Sequence, residues 1–330
     1  MLIAVNYHYI RKDFSQPHPG IFGITPDNFE NQLKTLAGYG KFISQETLAS
    51  RIKNGEILNN QEIEFIITFD DGLKEQYDEA LPILNRMGIP AVFYVNTSNF
   101  ENHHFSLVHQ IHLLRSQISA GHFLELLSSK NTVALLPDEK VKAHAHYRYD
   151  DPETAELKYT LNFKLSFEQQ SEIINLEFPE YFKNPNQLHE SFYMSHDHLK
   201  HLASLGYLGT HGVDHIPMGL YPANEIKRQI QESKQYLETL CGKPIYGISY
   251  PYGSLEACGG IVPLIAEEQG LIYGFSTERA GNFNLEKPLI LARFNCNDVP
   301  GGKSNLFPDL KIEHVNHKVW TYPTHIVDTE

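Results

Sequence analysis

The chain has 330 residues, 41% hydrophobic and 12% aromatic, which is enough to bury a large core in one α/β domain or two smaller ones. Twenty-seven Lys and Arg against 40 Asp and Glu leave a formal net charge of −13, and no basic run is longer than a pair. That balance excludes nucleic acid and an anionic membrane surface as natural partners. No apolar stretch is long enough to span a bilayer. Cys241, Cys258 and Cys296 are odd in number and form no C-x-x-C pair, which excludes a disulfide framework and a thiolate zinc site.

Strand and helix signals alternate along the chain, which predicts an α/β architecture. The N-terminal run Met1-Leu2-Ile3-Ala4-Val5-Asn6-Tyr7-His8 carries no basic region and no small-residue cleavage site. It reads as a first strand over residues 2–6 rather than a signal peptide, so the expected location is cytoplasmic. Thr25 and Pro26 mark a helix start, followed by Phe29, Leu33 and Leu36 at helical spacing. Residues 65–69 read as a buried strand, 80–87 as a helix ended by Gly88 and Pro90, and 91–95 as the next strand. Residues 99–192 differ: they are polar, rich in His and Glu, and helical wherever a period is visible, with Leu107, Ile111 and Leu114 on one face. A helix is expected over 152–175 with a loop near 161–166, and the whole region reads as a helical insertion. Alternation then resumes. Ser195 caps a helix to 204, residues 206–210 lead into a histidine pair, and 224–240 form an amphipathic helix. Strands at 245–250, 271–275 and 288–294 and a helix at 262–269 complete the pattern.

Two segments carry the chemistry. Thr68-Phe69-Asp70-Asp71-Gly72 ends an apolar strand in adjacent carboxylates, and His211-Gly212-Val213-Asp214-His215 places two imidazoles four residues apart. A carboxylate with two imidazoles suits a catalytic divalent cation with an open coordination position, and the spare carboxylate supplies a proton acceptor. This points to a metal-dependent hydrolase. Alone, each segment has a plainer reading: Asp-Gly is a common turn dipeptide, and with 18 histidines a pair at this spacing arises easily by chance. A grip on a nucleotide sugar needs no histidine pair, and no nucleotide-binding fingerprint is present. A third segment, Ser249-Tyr250-Pro251-Tyr252-Gly253, reads as a tight aromatic turn or as a wall of the site with a backbone N–H aimed at developing negative charge.

In this order, Thr68-Phe69-Asp70-Asp71-Gly72, His211-x-x-x-His215 and Tyr250-Pro251-Tyr252-Gly253 resemble the polysaccharide deacetylase (NodB-homology) family. The resemblance covers residues 2–100 and 195–294, so residues 1–330 are expected to form one deacetylase domain interrupted at about 99–192. It implies a distorted (β/α)7-type barrel with the site at the C-terminal ends of the strands. By position, Asp70 resembles the catalytic base, Asp71, His211 and His215 the metal ligands, and the Tyr252 N–H an oxyanion donor beside Pro251 and Tyr250. Two departures stand out. The Arg that opens the third motif in many members is replaced by Ser249. Arg293 is the candidate substitute for orienting the base, its plainer reading being a surface salt bridge. The usual late Leu-x-His is also not evident, since His314, His317 and His325 lack its setting. His8, after the first strand, resembles the general acid of the poly-N-acetylglucosamine deacetylase subgroup, its plainer reading being a supporting hydrogen-bond residue.

The implied reaction removes N-acetyl groups from an amino sugar or surface-glycan precursor, with one divalent metal as cofactor. Zinc is the first choice, and cobalt, nickel or manganese also fit the ligands. The rival readings are a metal-dependent hydrolase of another small amide or O-acetyl ester, and a non-catalytic glycan-binding relative. The insertion is expected either to cover the site or to form a contact between copies of the chain.

Overall fold

The N-terminal apolar run forms strand β1 (Leu2–Tyr7), with every residue buried. Seven more strands follow: β2 (Lys41–Phe42), β3 (Glu64–Phe69), β4 (Ala91–Val95), β5 (Leu208–Thr210), β6 (Gly247–Ser249), β7 (Tyr273–Phe275) and β8 (Arg293–Asn295). This computed structural model describes residues 1–130, 134–307 and 310–323; His325 lies outside them. By proximity, Met1–Lys12, Gly23–His104 and Glu190–Glu330 form one unit, and Asp13–Phe22 with Phe105–His189 form a second.

In the first unit all strand pairings are parallel, and the path β7-β6-β5-β4-β3-β1-β8 contains seven strands, with β2 paired to β3 at its start. Main-chain bonds from Leu291 N–H to the Gly274 carbonyl and from Ser276 N–H to the Leu291 carbonyl tie the β7 end to the approach to β8. The sheet is thus a nearly closed, distorted (β/α)7 barrel. Its continuous apolar strands match a parallel sheet covered on both faces.

Helices Pro26–Ala37, Gln45–Asn54, Leu81–Met87, His196–Ser204, Ala223–Cys241 and Val262–Glu268 belong to this unit. The Thr25 and Ser195 hydroxyls accept the first-turn N–H groups of Asn28 and His198, so both helices start where the capping residues place them. The core contains an aromatic cluster in which Phe69 stacks on Phe93, with centroids 4.6 Å apart, and Tyr7 and Phe29 meet Phe69. Gly209 is required here, because a Cβ on it would lie 2.4 Å from the Tyr94 ring. The space it leaves admits a buried chain in which the Tyr94 hydroxyl donates to Tyr273, and Tyr273 donates to Gln45.

The second unit is helical, with Leu107–Arg115, Ala120–Lys130, Pro137–His146, Pro152–Tyr159 and Phe167–Tyr181. The expected face of 107–115 is rotated: Leu107, His109, Gln110, Leu113 and Leu114 are buried, and Ile111 is not. The break near 161–166 is a π-helical turn (Thr160–Lys164) followed by Ser166 as the next cap. Residues 288–294 also differ from a simple strand. Pro288–Ile290 is a 3₁₀ turn, and the strand begins only at Arg293, because the Asn282 side chain takes both the N–H and the carbonyl of Ala292. Among the described residues, no helix is long and apolar enough to cross a membrane.

Candidate metal and catalytic site

Parallel strands end on one side of a barrel, so the residues that follow them share one face. Asp70 and Asp71 follow β3, His211 follows β5, Ser249 and Tyr250 end or follow β6, and His8 follows β1. The chain turns sharply after β3, where Asp71 has φ 83° and Gly72 φ 68°. A Cβ at position 72 would lie 2.9 Å from Val95 Cγ1, so glycine is required there by both space and backbone. Among the described residues, four that are not glycine have positive φ, and three are Asp71, His215 and Tyr252. Each such conformation costs on the order of 1–3 kcal/mol, so their convergence marks a place where the fold holds geometry against local preference.

Asp71, His211 and His215 form one buried group whose ligand-type atoms all lie within 4.8 Å of one another. His211 Nε2 and His215 Nε2 stand 3.5 and 3.4 Å from Asp71 Oδ1. The His211 Nδ1 is held at the carbonyl of Ser249, 2.5 Å away, which assigns the proton to Nδ1 and leaves Nε2 as a lone-pair donor toward Asp71. Burial lowers the His211 pKa to about 4, against the opposing pull of Asp70, so the ring is neutral at physiological pH. A neutral imidazole, a carboxylate and a second imidazole around one point are a donor set that fits a divalent cation with open positions.

Asp70 stands beside this group without belonging to it. It is buried and takes a two-pronged ion pair from Arg293, with Nη1 to Oδ1 at 2.9 Å and Nη2 to Oδ2 at 2.7 Å. Asn6 Nδ2 donates to Oδ2 at 2.9 Å, and His8 Nε2 lies 3.9 Å from the same oxygen. Burial by itself would raise the Asp70 pKa. Arg293, His211 and His8 outweigh it and hold the carboxyl at about 2, so Asp70 is ionised across the range in which enzymes work. Arg293 is buried and committed to this pair, with a further bond from Nη1 to Thr68 Oγ1 at 3.3 Å, and is not a surface salt bridge.

The third motif divides. Tyr252 is part-exposed, with its ring 5.1 Å from that of His215, and Pro251 is buried next to it. Tyr250 is no part of a wall: its ring is buried beside Gly274 and its hydroxyl donates to the Leu289 carbonyl. His314 and His317 are exposed, and His317 stacks on Phe283.

Several supporting residues were not evident in the sequence. Asn6 carried a usable signal, since it lies two residues before His8 and therefore on the same side of a strand. Gln76 donates to the carbonyls of Asp70 and His8, and Asn96 to that of His211, tying three site segments by side chains with no motif around them. Gln229 accepts the N–H groups of Val213 and Asp214 and donates to the Asp214 carboxylate, which braces the loop between the two histidines.

The profile of the family described as polysaccharide deacetylase matches residues 59–163 and 181–258. Among solved structures, the Streptococcus pyogenes deacetylase PplD in complex with acetate aligns with a TM-score of 0.55 and 15% identity, over 94% of this chain and 97% of that one. IcaB from Ammonifex degensii aligns at 0.52 and 16%, over 89% and 91%. A de-N-acetylase from Aggregatibacter actinomycetemcomitans aligns at 0.50 and 12%, over 89% and 94%. At these identities the likeness is one of fold. A search of curated proteins gives no match.

Proposed function

The chain belongs to the polysaccharide deacetylase family, and from that membership we propose that it is a metal-dependent hydrolase removing N-acetyl groups from an amino-sugar glycan or its precursor. One observation carries the reading. Asp71, His211 and His215 share a single point, and beside it stands a carboxylate that is kept ionised yet lies outside the ligand group. A glycan-binding relative has no use for such a base. The names of the S. pyogenes and A. actinomycetemcomitans structures, a deacetylase and a de-N-acetylase, accord with the same chemistry.

Asp71, His211 and His215 would hold the divalent ion, zinc by first choice with cobalt, nickel and manganese as fits. When bound, it would supply Lewis-acid charge to the acetyl carbonyl oxygen and to the attacking water. Asp70 accepts the proton of that water as its oxygen bonds to the carbonyl carbon. Arg293 and Asn6 keep the Asp70 oxygens aimed and ionised. The backbone N–H of Tyr252 donates to the oxyanion of the tetrahedral intermediate. His8, next to Asp70 and part-exposed, gives a proton to the amine as the C–N bond breaks, leaving acetate and a free amino sugar.

A positioned base supplies about 10²–10⁴ in rate. Asp70→Asn is therefore expected to bind metal at wild-type stoichiometry while acetate release from N-acetylglucosamine oligomers falls by that factor. His211→Ala is expected to lose the metal and the activity together. Elemental analysis and an acetate assay on the two variants test this, and full turnover in Asp70→Asn would overturn the assignment of the base.

A further inference from the structure

A cavity of about 250 Å³ adjoins the base on its His8 side, with Asn6, His8 and Arg293 in its wall. Two further wall residues, Arg279 and Asp298, play no part in the chemistry above. Asp298 is buried, accepts the backbone N–H of Asn295 at 3.2 Å, and forms an ion pair with Arg279 Nε at 3.2 Å. The Arg279 side chain is nevertheless 65% exposed. A buried carboxylate thus fixes an exposed guanidinium by its inner nitrogen, and the planar fork of outer N–H groups keeps donors for a ligand.

We infer that Arg279, braced by Asp298, is a specificity residue that holds the sugar ring through its hydroxyl oxygens. The inference rests on the deacetylase reading. The proposed proton donor lines this cavity, and the atom it protonates stays attached to the sugar, so the ring bearing the leaving nitrogen belongs here. Arg293 is matched by Asp70 and Arg279 by Asp298, so two guanidinium groups face two carboxylates in tight pairs. Such a wall is rich in donors and acceptors, and it suits a hydroxylated pyranose ring.

The test compares wild type with Arg279→Met, and with Arg279→Lys as a conservative variant. Two substrates are used: a neutral N-acetylglucosamine oligomer, and a simple aryl acetamide that has no ring hydroxyls. Arg279→Met is expected to raise KM for the neutral oligomer roughly tenfold, about one charge-assisted hydrogen bond, with kcat and metal content within twofold of wild type. Arg279→Lys should recover part of that loss, and hydrolysis of the acetamide should be the same in all three proteins. Unchanged KM in Arg279→Met, with wild type active on the oligomer, overturns the inference and leaves the deacetylase reading intact. Absence of acetate release from the oligomer by metal-loaded wild type is instead the failure of the deacetylase reading, and the inference falls with it.

Discussion

At the scale of single residues, the site turns on how Asp70 stays charged in a buried place. Burial disfavours the carboxylate, and the Arg293 guanidinium is the first of the groups that reverse the balance, bringing the pKa to about 2. A base works only when ionised, so activity is lost as pH falls through this pKa. With Arg293 present, that limb lies below the range of ordinary assays. Arg293→Met removes the leading favourable charge and leaves burial to act, so the Asp70 pKa must rise, by about 1–3 units for the loss of one close guanidinium. The acid limb of kcat/KM is therefore expected to move to higher pH, and the variant should lose proportionately more activity at pH 5 than at pH 8. A pH–rate profile identical in shape to wild type would show that Arg293 does not govern the base. His8 is expected to act on the other proton. His8→Asn should lower kcat by about 10²–10⁴ with metal content unchanged, and an acetate assay beside elemental analysis checks it.

At the scale of elements, much was legible because the signals are local. Thr25, Ser195, Gly88 and the apolar runs of β1, β3 and β4 mark their own elements through capping, left-handed turns and burial on both faces. The Asp71, His211 and His215 group was legible for a related reason: its members sit in short motifs at strand ends. What could not be read is what depends on distant pairing. Arg293 meets Asp70 across 223 positions, and nothing in Leu291-Ala292-Arg293-Phe294 says which carboxylate it finds. β2 is two residues long and exists only because β3 offers it an edge. Segment 13–22 joins the helical unit although it lies far from it in sequence. Gln229, on helix Ala223–Cys241, sits within a plain amphipathic pattern, yet its amide is buried and bonds the loop that carries His211 and His215. Gln229→Met keeps the volume and deletes the acceptor, leaving two loop N–H groups without it. Metal affinity is expected to fall about 10–100-fold, the usual effect of removing support from a ligand, with helix content unchanged. A chelator competition titration measures it, and wild-type affinity in this variant would show that the loop holds its shape without the brace.

At the scale of the whole molecule, the barrel brings three potential ligands of one small ion together from segments far apart in the chain. Asp71 comes after β3, and His211 and His215 come about 140 positions later, after β5, with β4 hydrogen-bonded between the two strands. An ion bound by all three recognises only the closed arrangement, because the unfolded chain does not hold those ligands together. Binding must therefore stabilise the folded state by RT ln(1 + [M]/Kd), about 2.7 kcal/mol at a hundredfold excess over Kd. The strained backbone at Asp71 and His215 adds a reason to expect a measurable effect, since the ion would help to hold two conformations that cost free energy without it. The melting temperature of chelator-treated protein is thus expected to rise with the logarithm of added zinc, and to do so in Asp70→Asn as in wild type. His211→Ala should show no such rise. Hydrogen exchange should slow on zinc addition at residues 70–72 and 211–215, the two segments that an ion at this point would join. Equal zinc responses in wild type and His211→Ala would mean that the cation binds elsewhere, and the shared point of Asp71, His211 and His215 would then be a buried polar cluster with no metal to hold.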